Sequence, residues 1–372
     1  MSPWNFAVSA MGLLLMAAAP MTSSAEPRIQ EDRKVLEPSL ADRAGANADI
    51  IERARDLIRE GRETGDPRFY SRAETLILPL MAKAEAADLL VLRATVRQAR
   101  HDFYGALSDL DKAINTAPND PQARLSRAFV RMTIGDYNGA LIDCQSLPRS
   151  AGQLVRAACF GRLVSLTGNA AKADQVLTGA LQQMPGAASY LKAWLHTLRA
   201  EISIRIGQDP RPHFQRALVL SDNARSVRLS FAEYLVSSGL SHAALDVLDP
   251  ADTSDAAAVI RLRAAVQTDT VRSDEVKSLA AQFEEDRRAD NALHLREEAR
   301  FLLDVVHAPD RAVDIAQENW AAQKEPEDLL LLVQAAVAAG DLTRASAALV
   351  HRDAYGIEDV RVDAVLAVEQ VR

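Results

Sequence analysis

From Asp49 onward, apolar residues recur at helical spacing almost to the end of the chain. Ile50, Ile51, Ala54, Leu57 and Ile58 open the pattern, and residues three or four apart share one face of an α-helix. Gly, Pro, Asn and Asp break it at short intervals. No segment alternates apolar and polar residues as a half-buried strand would. The pattern predicts an all-α chain of short helices, with Asp49 capping the first. Ahead of it, Pro27, Pro38, Gly45 and dense charge predict a flexible leader over residues 26–48.

The breaks come at regular intervals. Shifting the segment from Ala87 by 34 residues brings Arg93 onto Arg127, Ala94 onto Ala128 and Arg97 onto Arg131. The same shift brings Asp102 onto Asp136, Phe103 onto Tyr137, Ala106 onto Ala140, Leu107 onto Leu141 and Asp109 onto Asp143. Self-similarity at such a period marks a repeat architecture. The small residues are the physical core of the pattern. Placed on both helices of a pair, they let the backbones approach, while larger residues fill the space between pairs.

These residues resemble the tetratricopeptide-repeat (TPR) family at its small, alanine, apolar and proline positions. One unit supplies Ala94, Ala106, Leu110, Ala113 and Pro118, and another Gly161, Ala173, Leu177, Ala180 and Pro185. The family's usual Trp and Tyr are replaced by Leu90 and Arg97. The resemblance implies a right-handed α-solenoid of antiparallel helix pairs, with a concave groove lined by the first helix of each pair. It implies a degenerate helical pair over 49–86, TPR-like repeats over 87–250 and divergent helical repeats over 251–372. It also implies a protein or peptide as partner.

The N-terminus changes the expected setting. Phe6 to Ala19 is a weakly polar to apolar run ended by Pro20, and Ser23-Ser24-Ala25 offers small residues for a signal peptidase. The run is too short for a settled transmembrane helix, which needs roughly 20 apolar residues. Residues 1–25 are therefore expected to be a signal peptide, although no Lys or Arg precedes the run. The expected location is periplasmic or secreted. No later run is long and apolar enough to span a bilayer, so no integral membrane segment is expected after cleavage. Composition adds little more. Of 372 residues, 48% are hydrophobic and 5% aromatic, and the net charge of −8 offers no basic stripe for nucleic acid.

Three sets of side chains are singled out. Arg93 with Arg97 and Arg127 with Arg131 each precede an aspartate, Asp109 or Asp143, on the following helix. They form either a structural Arg–Asp ladder, the favoured alternative, or an anion-accepting groove. Groove positions on the first helices give Gln98, Leu125, Phe129, Met132, Arg162, Trp194, Glu201 and Glu233 as candidate partner-binding residues. Phe129 and Trp194 can equally be packed between units. Cys144 and Cys159 flank the turn near Ser150 to Gly152 at similar distances. They form either a disulfide or two buried thiols. No catalytic or phosphate-binding motif and no metal-ligand spacing is present, so no enzyme, cofactor or metal site is expected. The expected role is an exported interaction scaffold in assembly of an envelope complex. The alternative is a non-catalytic accessory or regulatory subunit of a membrane enzyme or transporter.

Overall fold

The computed structural model describes residues 40–221, 224–288 and 294–369. The expected signal peptide over 1–25 and leader residues 26–39 lie outside the described residues. Every regular element described is helical. In chain order they are α1 Leu40–Thr64, α2 Arg68–Met81, α3 Ala87–Ala99, α4 Phe103–Thr116, α5 Pro121–Ile134, α6 Tyr137–Gln145 and α7 Gln153–Ser165. Then follow α8 Ala170–Gln183, α9 Ser189–Arg205, α10 Arg211–Leu220, α11 Arg225–Ser237, α12 Ser241–Val247 and α13 Asp255–Gln267. The last are α14 Ser273–Arg288, α15 Leu295–Asp304, α16 Pro309–Ala322, α17 Pro326–Ala338, α18 Ser346–Tyr355 and α19 Val360–Glu369. Helix α1 begins at Leu40, so Asp49 lies inside it instead of capping it.

Local chemistry explains the helix starts. The Asp102 carboxylate accepts the Gly105 backbone N–H at 2.9 Å, and one repeat later Asp136 accepts that of Gly139 at 2.9 Å. A side chain on either glycine would collide with the capping carboxylate, so cap and glycine are needed together. Asp120 accepts from the Gln122 N–H, and Pro121 stands where no backbone donor is required.

Consecutive helices pack as antiparallel pairs, forming an all-α solenoid. Odd-numbered helices lie beside the next odd-numbered ones from α1 to α9 and again from α11 to α19. They make the inner layer, and the even-numbered helices make the outer one. Alanine holds the two layers close: Ala94, Ala106, Ala128, Ala140, Ala173, Ala232 and Ala244 are all fully buried. At Gly161 even a methyl group would press on the Leu177 side chain at 2.7 Å.

The array does not stay open. It curls until α5 to α8 meet α17 to α19. The Lys324 N–H donates to the Thr133 carbonyl at 2.6 Å, and the Thr133 hydroxyl bonds Glu325 at 2.8 Å. The Ala170 N–H donates to Glu358 at 2.9 Å. Tyr137 packs edge-on against Tyr355 with ring centroids 4.7 Å apart. One continuous apolar core runs from Leu125 through Ile202 and on through Val259 to Val362, spanning both sides of this contact. At the seam the backbones nearly touch: a Cβ on Gly168 would lie 2.9 Å from the Gly356 carbonyl oxygen. Gly168 also has a φ of +75°, which L side chains rarely adopt. The expected concave groove is therefore a chamber inside the curl that stays open to solvent.

Candidate functional site

The ladder residues pair within their own helical hairpins. Arg93 meets Asp109 through Nε at 2.8 Å and Nη2 at 2.6 Å, and Arg97 Nη1 reaches the same carboxylate at 2.8 Å and the Gly105 carbonyl at 2.9 Å. In the next unit Arg127 Nη2 bonds Asp143 at 2.5 Å. Arg131 Nη1 bonds Asp143 at 2.8 Å and the Gly139 carbonyl at 3.0 Å. Both aspartates are buried, and each neutralises two guanidinium groups between the layers. Arg127 also reaches back to Asp111 at 2.6 Å, tying one unit to the one before. Cys144 on α6 and Cys159 on α7 form a disulfide with Cα atoms 5.7 Å apart.

Of the groove positions, Leu125, Phe129 and Met132 are buried in the core. Trp194 is buried too, its ring 5.6 Å from that of Phe129. Phe129 carries the Arg162 guanidinium 5.8 Å from its ring centroid, within cation–π range. Gln98 is fully buried, with neither amide atom bonded. Arg162, Glu201 and Glu233 instead face one cavity inside the curl, with a volume of 890 Å³.

Charge dominates this chamber. Its walls carry Arg162 from α7, Arg205 from α9, Arg263 from α13, Arg300 from α15 and Arg361 from α19. Against them stand Glu201 from α9, Glu233 from α11, Asp304 from α15, and Glu325 and Glu327 at the start of α17. Sequence reasoning missed Arg205, Arg263, Arg300, Arg361, Asp304, Glu325 and Glu327, since most of their partners lie on other helices. Arg263 Nη1 meets both oxygens of Glu233 at 2.7 Å, and its Nε lies 2.7 Å from Asp304. Arg361 spans Glu327 at 2.9 Å and Asp359 at 2.7 Å. Arg300 donates to Gln334 at 2.8 Å. Arg162 divides its guanidinium between Glu325 at 2.5 Å and Glu201 at 3.1 Å.

The carboxylates differ in their protonation. Burial alone would raise Glu233, but Arg263 and Arg300 hold it below the ordinary value. Burial would also raise Glu327, and Arg361 holds it down. At Glu201 burial prevails and pushes the carboxyl up to about 7, with Arg162 opposing and Glu325 adding to the shift. One of its oxygens, Oε1, is buried without a bond. Four residues on, Arg205 is buried, and burial lowers its pKa. Among the described residues it donates to the Ser165 carbonyl at 2.7 Å and to no carboxylate. Arg205 also borders a second cleft of 570 Å³ beside Glu358 and Asp359, which Glu201 does not reach.

Among the described residues no group of three His, Cys, Asp or Glu side chains is placed to hold a metal ion. None of the described helices is long and apolar enough to cross a membrane.

No family model matches the chain. Protein FlbA of Caulobacter vibrioides is 34% identical over 107 residues, which is 29% of this chain and 18% of that protein. The chain thus spans less than a fifth of that relative's length. Solved structures similar to it include a tetratricopeptide repeat protein from Parabacteroides merdae, 15% identical with a TM-score of 0.34, over 78% of this chain and 99% of that one. The TPR domain of P58(IPK) is 16% identical with a TM-score of 0.22, over 87% of this chain and 97% of that one. Yeast Tom70 is 11% identical with a TM-score of 0.25, over 88% and 96%.

Proposed function

We propose that this protein is an exported, non-catalytic interaction scaffold whose inner chamber receives a polar segment of a partner protein during assembly of an envelope complex. The observation that supports it is the chamber itself. Six inner-layer helices send charged side chains from their spans into one space, and Glu325 and Glu327 add theirs at the start of a seventh. Solvent still reaches them, since the Glu233 side chain is 37% exposed and that of Glu327 is 32% exposed. A partner that matches both signs of charge gains register and selectivity more than raw affinity. The Phe6–Ala19 run motivates the export and the periplasmic or secreted location.

A photo-crosslinking residue at Ser237, which lines the chamber, tests this in envelope preparations. A single protein adduct is expected, absent when the probe sits at the exposed outer residue Tyr104. Adducts of equal yield at both positions, or none at Ser237, would refute it.

A further inference from the structure

Most of the chamber's charges already satisfy one another. Arg263 is matched by Glu233 and Asp304, Arg361 by Glu327 and Asp359, and Glu325 by Arg162 and Thr133. Arg300 holds Gln334 at 2.8 Å and Asp304 at 3.5 Å, and among the described residues the pair left least matched is on α9. Among the described residues Arg205 hydrogen-bonds only the Ser165 carbonyl, and Glu201 leaves Oε1 unbonded. The two stand one helical turn apart on the same face, within about 6 Å at their Cβ atoms, and both line the chamber. Among the described residues they form no ion pair with each other, and Glu201 pairs with Arg162.

An unsatisfied buried acceptor is unfavourable in an empty protein, and the Arg205 guanidinium beside it meets no carboxylate among the described residues. A ligand relieves both at once if it brings an anion to Arg205 and an N–H donor to Glu201 within a few ångströms. We propose that Arg205 and Glu201 bind a free α-amino acid, the carboxylate on Arg205 and the ammonium on Glu201. The α-amino acid zwitterion carries both groups on one carbon. It has no net charge, as suits walls bearing five arginines and five carboxylates. The chamber of 890 Å³ has room for an amino acid against its α9 wall, with water filling the rest. The remaining walls bring Ser237, Gln267 and Gln334, which favour a polar side chain. Arg162 is a positioning residue that holds the second oxygen of Glu201. This site goes beyond the scaffold role and does not depend on it, since a crosslink from Ser237 is read without the amino acid.

The test is thermal unfolding and calorimetric titration of the purified chain with each of the common α-amino acids at millimolar concentration. At least one with a polar side chain should raise the melting temperature. Its N-acetyl derivative and its amide should each bind at least tenfold more weakly, and so should a dipeptide, whose charged ends lie farther apart. Glu201→Gln and Arg205→Met should each lose about tenfold or more in affinity, with helical circular dichroism retained. Should Arg205→Met fail to fold, Arg205→Lys keeps the charge and should retain part of the binding. The proposal is overturned if no amino acid shifts the transition. It is overturned equally if the acetylated or amidated forms bind as well as the free one, or if both folded variants bind like the parent.

Discussion

Asp143 is fully buried with two guanidinium groups on it. Removing one member of such a set leaves buried charge uncompensated, which typically costs several kcal/mol. Asp143→Ala should therefore lower stability by about 3 kcal/mol, read from the urea midpoint at unchanged slope. A loss under about 1 kcal/mol would show that water replaces the carboxylate freely. Glu201 makes a pH-dependent prediction of opposite character. Its folded carboxyl titrates near 7 against an ordinary value of 4.5. Between those values the folded state holds more protons than the unfolded one, so stability falls as pH rises through that window. Glu201→Gln removes this slope. Parent minus variant stability should decline by up to about 3 kcal/mol from pH 4.5 to 7, and a flat difference would contradict the burial at Glu201. Legibility at this scale followed sequence distance. Arg93, Arg97 and Asp109 recur together within one hairpin, so their ladder could be read from the repeat. Glu325 could not, because its partners Thr133 and Arg162 lie far away in sequence.

The individual elements were legible where the repeat brings the same residue types back, as with Asp102 onto Asp136. Asp102 with Gly105 and Asp136 with Gly139 start α4 and α6 in the same way. Helix α1 departs from the expectation at its start, since Leu40 to Ala48 continue the helix ahead of Asp49. Groove positions were harder to assign. Neighbouring inner helices cover part of the inward face, as Trp194 and Arg162 do for Phe129, so Leu125, Phe129 and Met132 are core residues while Arg162 faces the chamber. The link between α6 and α7 carries its own prediction. The Cys144–Cys159 disulfide closes a loop of sequence separation 15, and cross-linking a loop of that size contributes about 3 kcal/mol. The double Ser variant should unfold earlier by that amount. In the unfolded parent, thiol alkylation should succeed only after reduction; labelling beforehand would disprove the bond.

For the molecule as a whole, the seam between α5–α8 and α17–α19 is decisive. Repetition in the sequence predicts how one pair packs on the next, but the curvature summed over many pairs is set by small angles that no motif records. The seam makes a whole-molecule prediction. Gly168→Val would force a branched side chain into a left-handed backbone conformation and against the Gly356 carbonyl. It should cost about 1–3 kcal/mol and enlarge the radius of gyration in small-angle scattering. An unchanged radius with unchanged stability would mean that the seam does not hold in solution.

Linear repeat proteins gain or shed units with little penalty, since each touches only its neighbours. Gly168 against Gly356 removes that freedom here. Inserting or deleting a pair anywhere between α9 and α17 would carry the two glycines past each other and misalign Lys324 with Thr133. Duplication, the usual route by which such chains lengthen, is closed to this stretch, and the number of pairs between the two glycines is as fixed as the blades of a propeller.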